Sequence, residues 1–244
     1  MKRTLPPPVV RTQPENNLIA ALTARERATV LAALEPVELV FADVLYEPGQ
    51  PIHHVYFPGN ALVSLLTLVD GHLELEVGLV GCEGMVGLPV VLGHDKSYVR
   101  ALVQGGGRAL RMATAPFRRL CRESPGLQKQ MLLFAQSLIA QISQTAACNR
   151  FHVVDQRLAR WLLMTRDRVK SDQFGMTHEF LAHMLGVRRV GVTRSAHALQ
   201  QEGLISYTRG QITITDAAGL EAASCTCYRV IRDMHEPKST PGSP

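Results

Sequence analysis

Cysteine is scarce in this chain and odd in number. Cys82, Cys121, Cys148, Cys225 and Cys227 fall at scattered spacings, which argues against a disulfide framework and suits reduced thiols. No apolar run reads as long enough to span a bilayer, and the start, Met-Lys-Arg-Thr-Leu-Pro-Pro-Pro, lacks the apolar middle of a signal peptide. The expectation is therefore a cytoplasmic chain without a membrane partner. Enzyme signatures are missing too: there is no Gly-x-Ser-x-Gly elbow and no P-loop. His178-Glu-Phe-Leu-Ala-His183 comes near the zinc-protease motif. Its histidines, however, are five residues apart instead of four, so on a helix they diverge by about 140° and cannot share an ion. Gly81, Gly84 and Gly87 recur every three residues, but no βαβ unit surrounds them. Catalysis is not expected.

What is present is a chain of 244 residues with 46% hydrophobic residues and a net charge of +5, enough for a real core and for two domains. Residues 1–16 and 236–244 are Pro-, Ser- and polar-rich and read as mobile tails.

The most telling stretch runs from Thr177 to Gln201. Leu181, Ala182 and Leu185 fit the inner stripe of one helix, Gly186 a turn with Val187 plugged beneath it, and Val192 with Leu199 the inner stripe of a second helix. Arg188, Arg189, Val190, Thr193 and Arg194 are then left facing out near the start of the second helix, where a recognition helix meets base edges in the major groove. A plain helical hairpin would show the same spacing. Two further features weigh against it. Leu204 to Tyr207 and Gln211 to Thr215 alternate as two short strands about Thr208-Arg209-Gly210, so the pattern is a winged helix. Charge agrees: residues 151–214 hold nine Lys or Arg against five Asp or Glu, whereas residues 1–150 hold fourteen against twelve. The basic surplus sits with the motif, as phosphate binding requires.

Upstream, Thr23-Ala-Arg-Glu26 has the capping-box form and predicts a helix from about Ala24 to Leu34. After Pro36 the period changes. Val37–Tyr46, His54–Phe57, Ala61–Val69, Leu73–Leu79, Val99–Val103 and Arg108–Met112 are strand-like pieces cut by Gly- and Pro-containing turns, the pattern of a sandwich or barrel. Ser124-Pro125 then opens a helix to about Arg150, about 38 Å long. Leu127, Met131, Phe134, Leu138, Ile142 and Thr145 step along it by threes and fours. Such a stripe either docks on its own domain or forms a dimer seam. The seam is the expectation, because a helix of this length between two compact domains needs a cover, and a two-fold places two recognition helices about 34 Å apart.

The order of parts resembles the Crp/Fnr family of bacterial transcription regulators. Local matches are Tyr46-Glu-Pro-Gly49, Gly84-Met-Val-Gly87 at the place of the phosphate-binding cassette, Pro116-Phe-Arg-Arg-Leu120, Arg157-Leu-Ala-Arg-Trp-Leu162, and Leu185-Gly-Val187 with Arg189 and Arg194. Coverage runs from about Leu18 to Asp216. The resemblance implies an α+β fold: a cyclic-nucleotide-binding-like jelly-roll sensor over 17–123, a dimerisation helix over 124–150 and a winged helix-turn-helix over 151–235. The family's usual base-reading triad is Arg, Glu, then Arg four residues after the Glu; the matching positions here are Arg189, Val190 and Arg194, so the Glu is missing. Valine accepts no hydrogen bond from cytosine but packs on a thymine methyl, which predicts a departure from the family's common half-site. Arg188, Thr193, His178 and Arg209 are expected at phosphates or flanking positions.

The sensor departs further. The positions matching the family's ribose-binding Glu and phosphate-binding Arg fall near Leu88 and Ser97, with Lys96 beside them. An effector pocket would involve Gly84, Gly87, Leu88, Lys96 and Ser97, but a cyclic phosphate would lack its bidentate partner, so control by cyclic AMP is not expected. No cysteine precedes Cys82, which argues against the family's iron–sulfur sensing. His72, Cys82 and His53 or His54 are weak haem-ligand candidates. Cys225-Thr-Cys227 alone is a poor ligand set, read as structural rather than as a metal site or thiol switch. The expectation is thus a homodimer on double-stranded palindromic DNA, with RNA polymerase as a further candidate partner and no cofactor beyond an unidentified effector. The competing reading is a small-molecule-binding module acting through a protein partner; salt dependence of binding separates the two.

Overall fold

The computed structural model describes residues 15–70 and 73–235. The expected tails fall almost wholly outside the described residues, as does His72. Glu15 and Asn16 are the exceptions: Glu15 pairs with Arg27, and Asn16, instead of trailing off, is buried, caps α1 (Asn17–Ala20) and donates its amide to the carbonyls of Pro58 and Gly84.

Alternating apolar residues build seven strands between two helical regions. After α2 (Ala24–Ala33), capped by Thr23, come β1 (Glu35–Leu39), β2 (Val44–Tyr46), β3 (His54–Pro58), β4 (Leu62–Val69), β5 (Leu73–Val80), β6 (Arg100–Gly105) and β7 (Gly107–Ala113). They form two open antiparallel sheets, β1-β7-β3 and β2-β6-β4-β5, in a jelly-roll arrangement. The predicted strand Val37–Tyr46 is broken in two, because Ala42 at φ 71° turns the chain between β1 and β2.

Two helices follow, α3 (Thr114–Glu123) and the long α4 (Pro125–Phe151). Glu26 of α2 accepts from the Ser124 hydroxyl and the Gly126 amide, each at 2.8 Å, so the capping carboxylate of one helix also holds the start of another. Helix α4 corrects two expectations. Met131, Phe134 and Leu138 are buried against this chain's own jelly roll, Ile142 packs beside them, and Thr145 is buried too. That stripe is the docking face and not a dimer seam: Gly84 admits the Phe134 ring so closely that a Cβ there would lie 2.3 Å from it, and Gln141 pairs with both backbone groups of Leu79. The helix is also long and apolar enough to cross a membrane by length and composition, with a mean hydropathy of 1.2 over its most apolar stretch. Its apolar residues are split between the docking face and an opposite face, and Gln128, Lys129, Gln136, Gln141 and Gln144 interrupt them.

The remaining elements are α5 (Val154–Val169), β8 (Gln173–Gly175), α6 (His178–Leu185), α7 (Arg189–Gln201), β9 (Ile205–Thr208), β10 (Gln211–Ile214), α8 (Ala217–Ala223) and α9 (Cys227–His235). The strands pair as β8-β10-β9. Their core is continuous with the jelly roll, for Leu62, Leu66 and Leu79 join Leu158, Trp161 and Leu162 of α5. Two buried polar ties cross the same junction. Arg168 pairs with Glu83 at 2.7 Å, and the Trp161 indole donates to Glu76 at 2.9 Å.

Candidate nucleic-acid interface

The helix pair α6 and α7 turns at Gly186, whose φ of 61° a side chain would resist. The Val187 amide bonds back to Ala182, and Leu181, Ala182, Leu185, Val192, Ala196 and Leu199 close the pair on its inner side. Two long-range bonds fix it from behind: Arg157 donates to the Leu185 carbonyl, and the Ser195 hydroxyl donates to Asp155.

The outer side of α7 exposes Arg189, Val190, Thr193 and Arg194, with Arg188 at its N-cap. Val190 is 73% exposed, an apolar side chain left in water between two arginines. Across the groove the strands β9 and β10 meet in a tight turn where Arg209 and Gly210 both have positive φ, 50° and 80°. That is the two-residue hairpin geometry of a wing, and it projects Arg209 outward. Among the described residues none of Arg188, Arg189, Arg194 and Arg209 is paired with a carboxylate.

His178 differs from its expected role at a phosphate. Its Nδ1 lies 3.1 Å from the Thr193 hydroxyl, its ring stacks on Tyr207 at 4.2 Å, and its Nε2 is buried. Burial, with Arg189 nearby, pushes its pKa below the usual value, so at neutral pH it is an uncharged strut joining α6, α7 and the wing. Thr193 is correspondingly engaged by His178. His183 points elsewhere, its Nε2 meeting Glu74 of the jelly roll at 2.9 Å, as the five-residue spacing requires.

Of the expected effector residues, Gly87, Leu88 and Ser97 line a cavity of about 140 Å³ together with Tyr46, Met85, Val99 and, from α4, Leu138 and Ile142. Gly87 takes φ 106° there. Gly84 is not in its wall, being filled by Phe134, and Lys96 points to solvent. The wall is almost entirely apolar. Its polar groups are the Tyr46 phenol, pushed up by burial, and the buried Ser97.

Sequence reasoning missed one cluster. Cys148 and His152 at the end of α4 meet Cys225 and Cys227 at the start of α9, with all four ligand atoms within 4.8 Å of one another. The signal was a Cys-x-x-x-His pair at one helical turn, 73 residues before the Cys-x-Cys; only the fold joins them.

Residues 156–223 match the Crp-like helix-turn-helix domain. The global nitrogen regulator of Nostoc sp. (strain PCC 7120) is 26% identical over 201 residues, which covers 78% of this chain and 89% of that one. The cyclic AMP receptor protein of Thermus thermophilus is 24% identical over 199 residues, covering 78% and 92%. The crystal structure of a Crp/Fnr-family transcriptional regulator from Thermus thermophilus superposes with a TM-score of 0.63 at 23% identity, covering 78% of this chain and 98% of that one. With a Crp-like helix-turn-helix domain set behind a jelly roll and a long helix, the chain is similar over most of its length to transcription regulators of the Crp/Fnr type.

Proposed function

We propose that the protein regulates transcription as a homodimer that reads a two-fold palindrome in double-stranded DNA. The observation that carries this reading is the outer face of α7, where exposed Val190 stands between Arg189 and Arg194. Arg189 would pair with guanine O6 and N7, Val190 would pack on a thymine methyl, and Arg194 would take a second base or a phosphate. Arg188 and the wing's Arg209 would hold the backbone and set the register. Thr193 and His178 would fix α7 against α6.

Support for the dimer comes from the second face of α4. Leu132, Gln136, Ile139, Ser143 and Ala146 recur at alternating four- and three-residue steps on its exposed side, with Leu132 49% and Ile139 60% exposed. A period of 3.5 is that of a coiled-coil seam, and a second copy of the same helix is the cover it fits. RNA polymerase is the partner that a regulator bound at a promoter would meet.

Cyclic AMP is not the effector in this reading. A nucleotide site needs on the order of 300 Å³ or more and charged partners, whereas the cavity has about 140 Å³ with Leu88 and Ser97 at the positions of interest. A small apolar molecule fits it better. Because Leu138 and Ile142 close the cavity, an occupant would press directly on α4.

The test is selection of duplex DNA from a random pool by the ligand-free protein, in parallel with Arg189→Ala. An enriched palindrome that vanishes in the variant is the expected result, with affinity falling steeply as salt rises. Weak, salt-insensitive binding unaffected by the substitution would favour a module that acts through a protein partner.

A further inference from the structure

The end of α4 and the start of α9 carry three buried thiols and an imidazole that neither core accounts for. Cys148, Cys225 and Cys227 form a buried cluster of their own, separate from both apolar cores. Cys148 lies in the last turn of α4 and His152 is its C-cap, whose amide bonds back to the Cys148 carbonyl at 3.1 Å, while Cys225 precedes α9 and Cys227 is its first residue. Cys148 Sγ lies 3.5 Å from Cys225 Sγ, and Cys227 Sγ lies 3.5 Å from His152 Nδ1.

These separations suit one ion. Tetrahedral zinc, with Zn–S of about 2.3 Å and Zn–N of about 2.0 Å, sets its sulfurs about 3.8 Å apart and its sulfur and nitrogen about 3.5 Å apart. A disulfide would need the Cys148 and Cys225 sulfurs at about 2.05 Å and would leave Cys227 and His152 unused. With the four atoms no more than 4.8 Å from one another, the space between them is that of a single ion. The ligand set, three soft thiolates and an imidazole, is one that zinc favours.

The surroundings are built for such a centre. Gln144, one turn before Cys148, donates its amide to Cys227 Sγ at 3.0 Å, the type of outer hydrogen bond that orients a metal thiolate. Arg157 and Arg160 are buried beside the thiols, each with its Nε unpartnered and neither in contact with a carboxylate among the described residues. A zinc ion with three thiolates and one neutral imidazole carries net charge −1, opposite in sign to these two guanidiniums. The Cys225 and Cys227 thiolates also sit at the N-terminus of α9, where the helix dipole favours negative charge.

We propose that Cys148, Cys225, Cys227 and His152 bind one zinc ion, which clasps α9 to the end of α4. Each thiol releases its proton to solvent as it binds. The clasp closes the segment that contains α5 to α8, so it holds the DNA-reading helices on the long helix. The matched Crp-like domain ends at residue 223, just before these ligands. Zinc binding stands whether or not the protein reads DNA.

The test uses the full chain purified under reducing conditions without chelator, with metals counted by plasma mass spectrometry. About one zinc per chain is expected, retained in Cys82→Ser and Cys121→Ser and lost in Cys225→Ser/Cys227→Ser. To keep the result independent of how that double variant folds, the wild-type protein is stripped of metal and titrated with Co²⁺. Intense visible bands and a thiolate-to-cobalt charge-transfer band, saturating at one equivalent and displaced by zinc, are the expected signature of a tetrahedral thiolate site. Zinc-free reduced protein that gives no such bands would overturn the proposal, as would a Cys148–Cys225 disulfide that forms in preference to metal uptake. Copper or iron at the same ratio would overturn the choice of zinc.

Discussion

Replacing Glu76 by glutamine should remove a defined piece of the pH dependence of stability. Glu76 is buried on β5, and burial pushes its pKa up to about 7, against hydrogen bonds and the nearby Arg160 and Arg168 that pull it down. The hydrogen bonds agree with a protonated carboxyl. One oxygen accepts from the Trp161 indole, while the other lies 2.7 Å from the Ser64 hydroxyl, which also meets Gln104 Oε1. Ser64 has one hydrogen and cannot donate to both acceptors. If Glu76 donates to Ser64 and Ser64 donates to Gln104 Oε1, all three oxygens are satisfied, while Gln104 Nε2 has no partner among the described residues. Between the unfolded value of 4.5 and about 7 the folded chain then keeps a proton that the unfolded chain has released. Stability therefore falls as pH rises through that window and stays lower above it. The shift amounts to about 3 kcal/mol in all, at 1.36 kcal/mol per unit. In Glu76→Gln the introduced amide can donate to Ser64 and accept from Trp161 but leaves one N–H without a partner, a pH-independent cost of about 1–3 kcal/mol. The reading is therefore the difference between the two profiles and not either absolute value. Urea unfolding at fixed protein concentration, from about pH 4.5 to about pH 8, should show the variant gaining about 3 kcal/mol on the wild type across the range. Parallel profiles would mean that Glu76 is ionised in the folded protein and that the proton assignment along Glu76, Ser64 and Gln104 is wrong.

Other substitutions test separate parts of the structure. Ile139→Asp should yield a folded monomer by sedimentation, since each protomer loses an apolar side chain worth about 1.5–3 kcal/mol when buried at the seam; a persisting dimer would place the interface elsewhere. Gly84→Ala sets a Cβ 2.3 Å from the Phe134 ring and should cost about 1–3 kcal/mol in thermal or denaturant unfolding. No loss would mean that α4 shifts freely on the jelly roll. Val190→Glu gives the recognition helix an acceptor for cytosine N4 and should change the preferred base at one position of each half-site by about 1–3 kcal/mol in competition binding. Unchanged preference would remove Val190 from the base-reading surface.

The recognition unit was legible because its determinants are local. The spacing of Leu181, Ala182, Leu185, Gly186, Val192 and Leu199 sets two helices and their turn within 25 residues, and once those side chains go inward the arginines have one way to face. Strands and their turns could be placed for the same reason. Tertiary structure decided what depends on residues far apart in the chain. Two stripes on α4 have helical spacing, and only the docking of Phe134 into Gly84 shows that the one chosen from the sequence faces inward. His178 read as a phosphate or flanking contact, and only the fold brings Thr193 and Tyr207 against it. Glu76 owes its raised pKa to a junction between β5 and α5. Cys148 and His152 become partners of Cys225 and Cys227 only when α9 folds back on α4, since a side chain's chemistry is fixed by its sequence but its neighbours are fixed by packing.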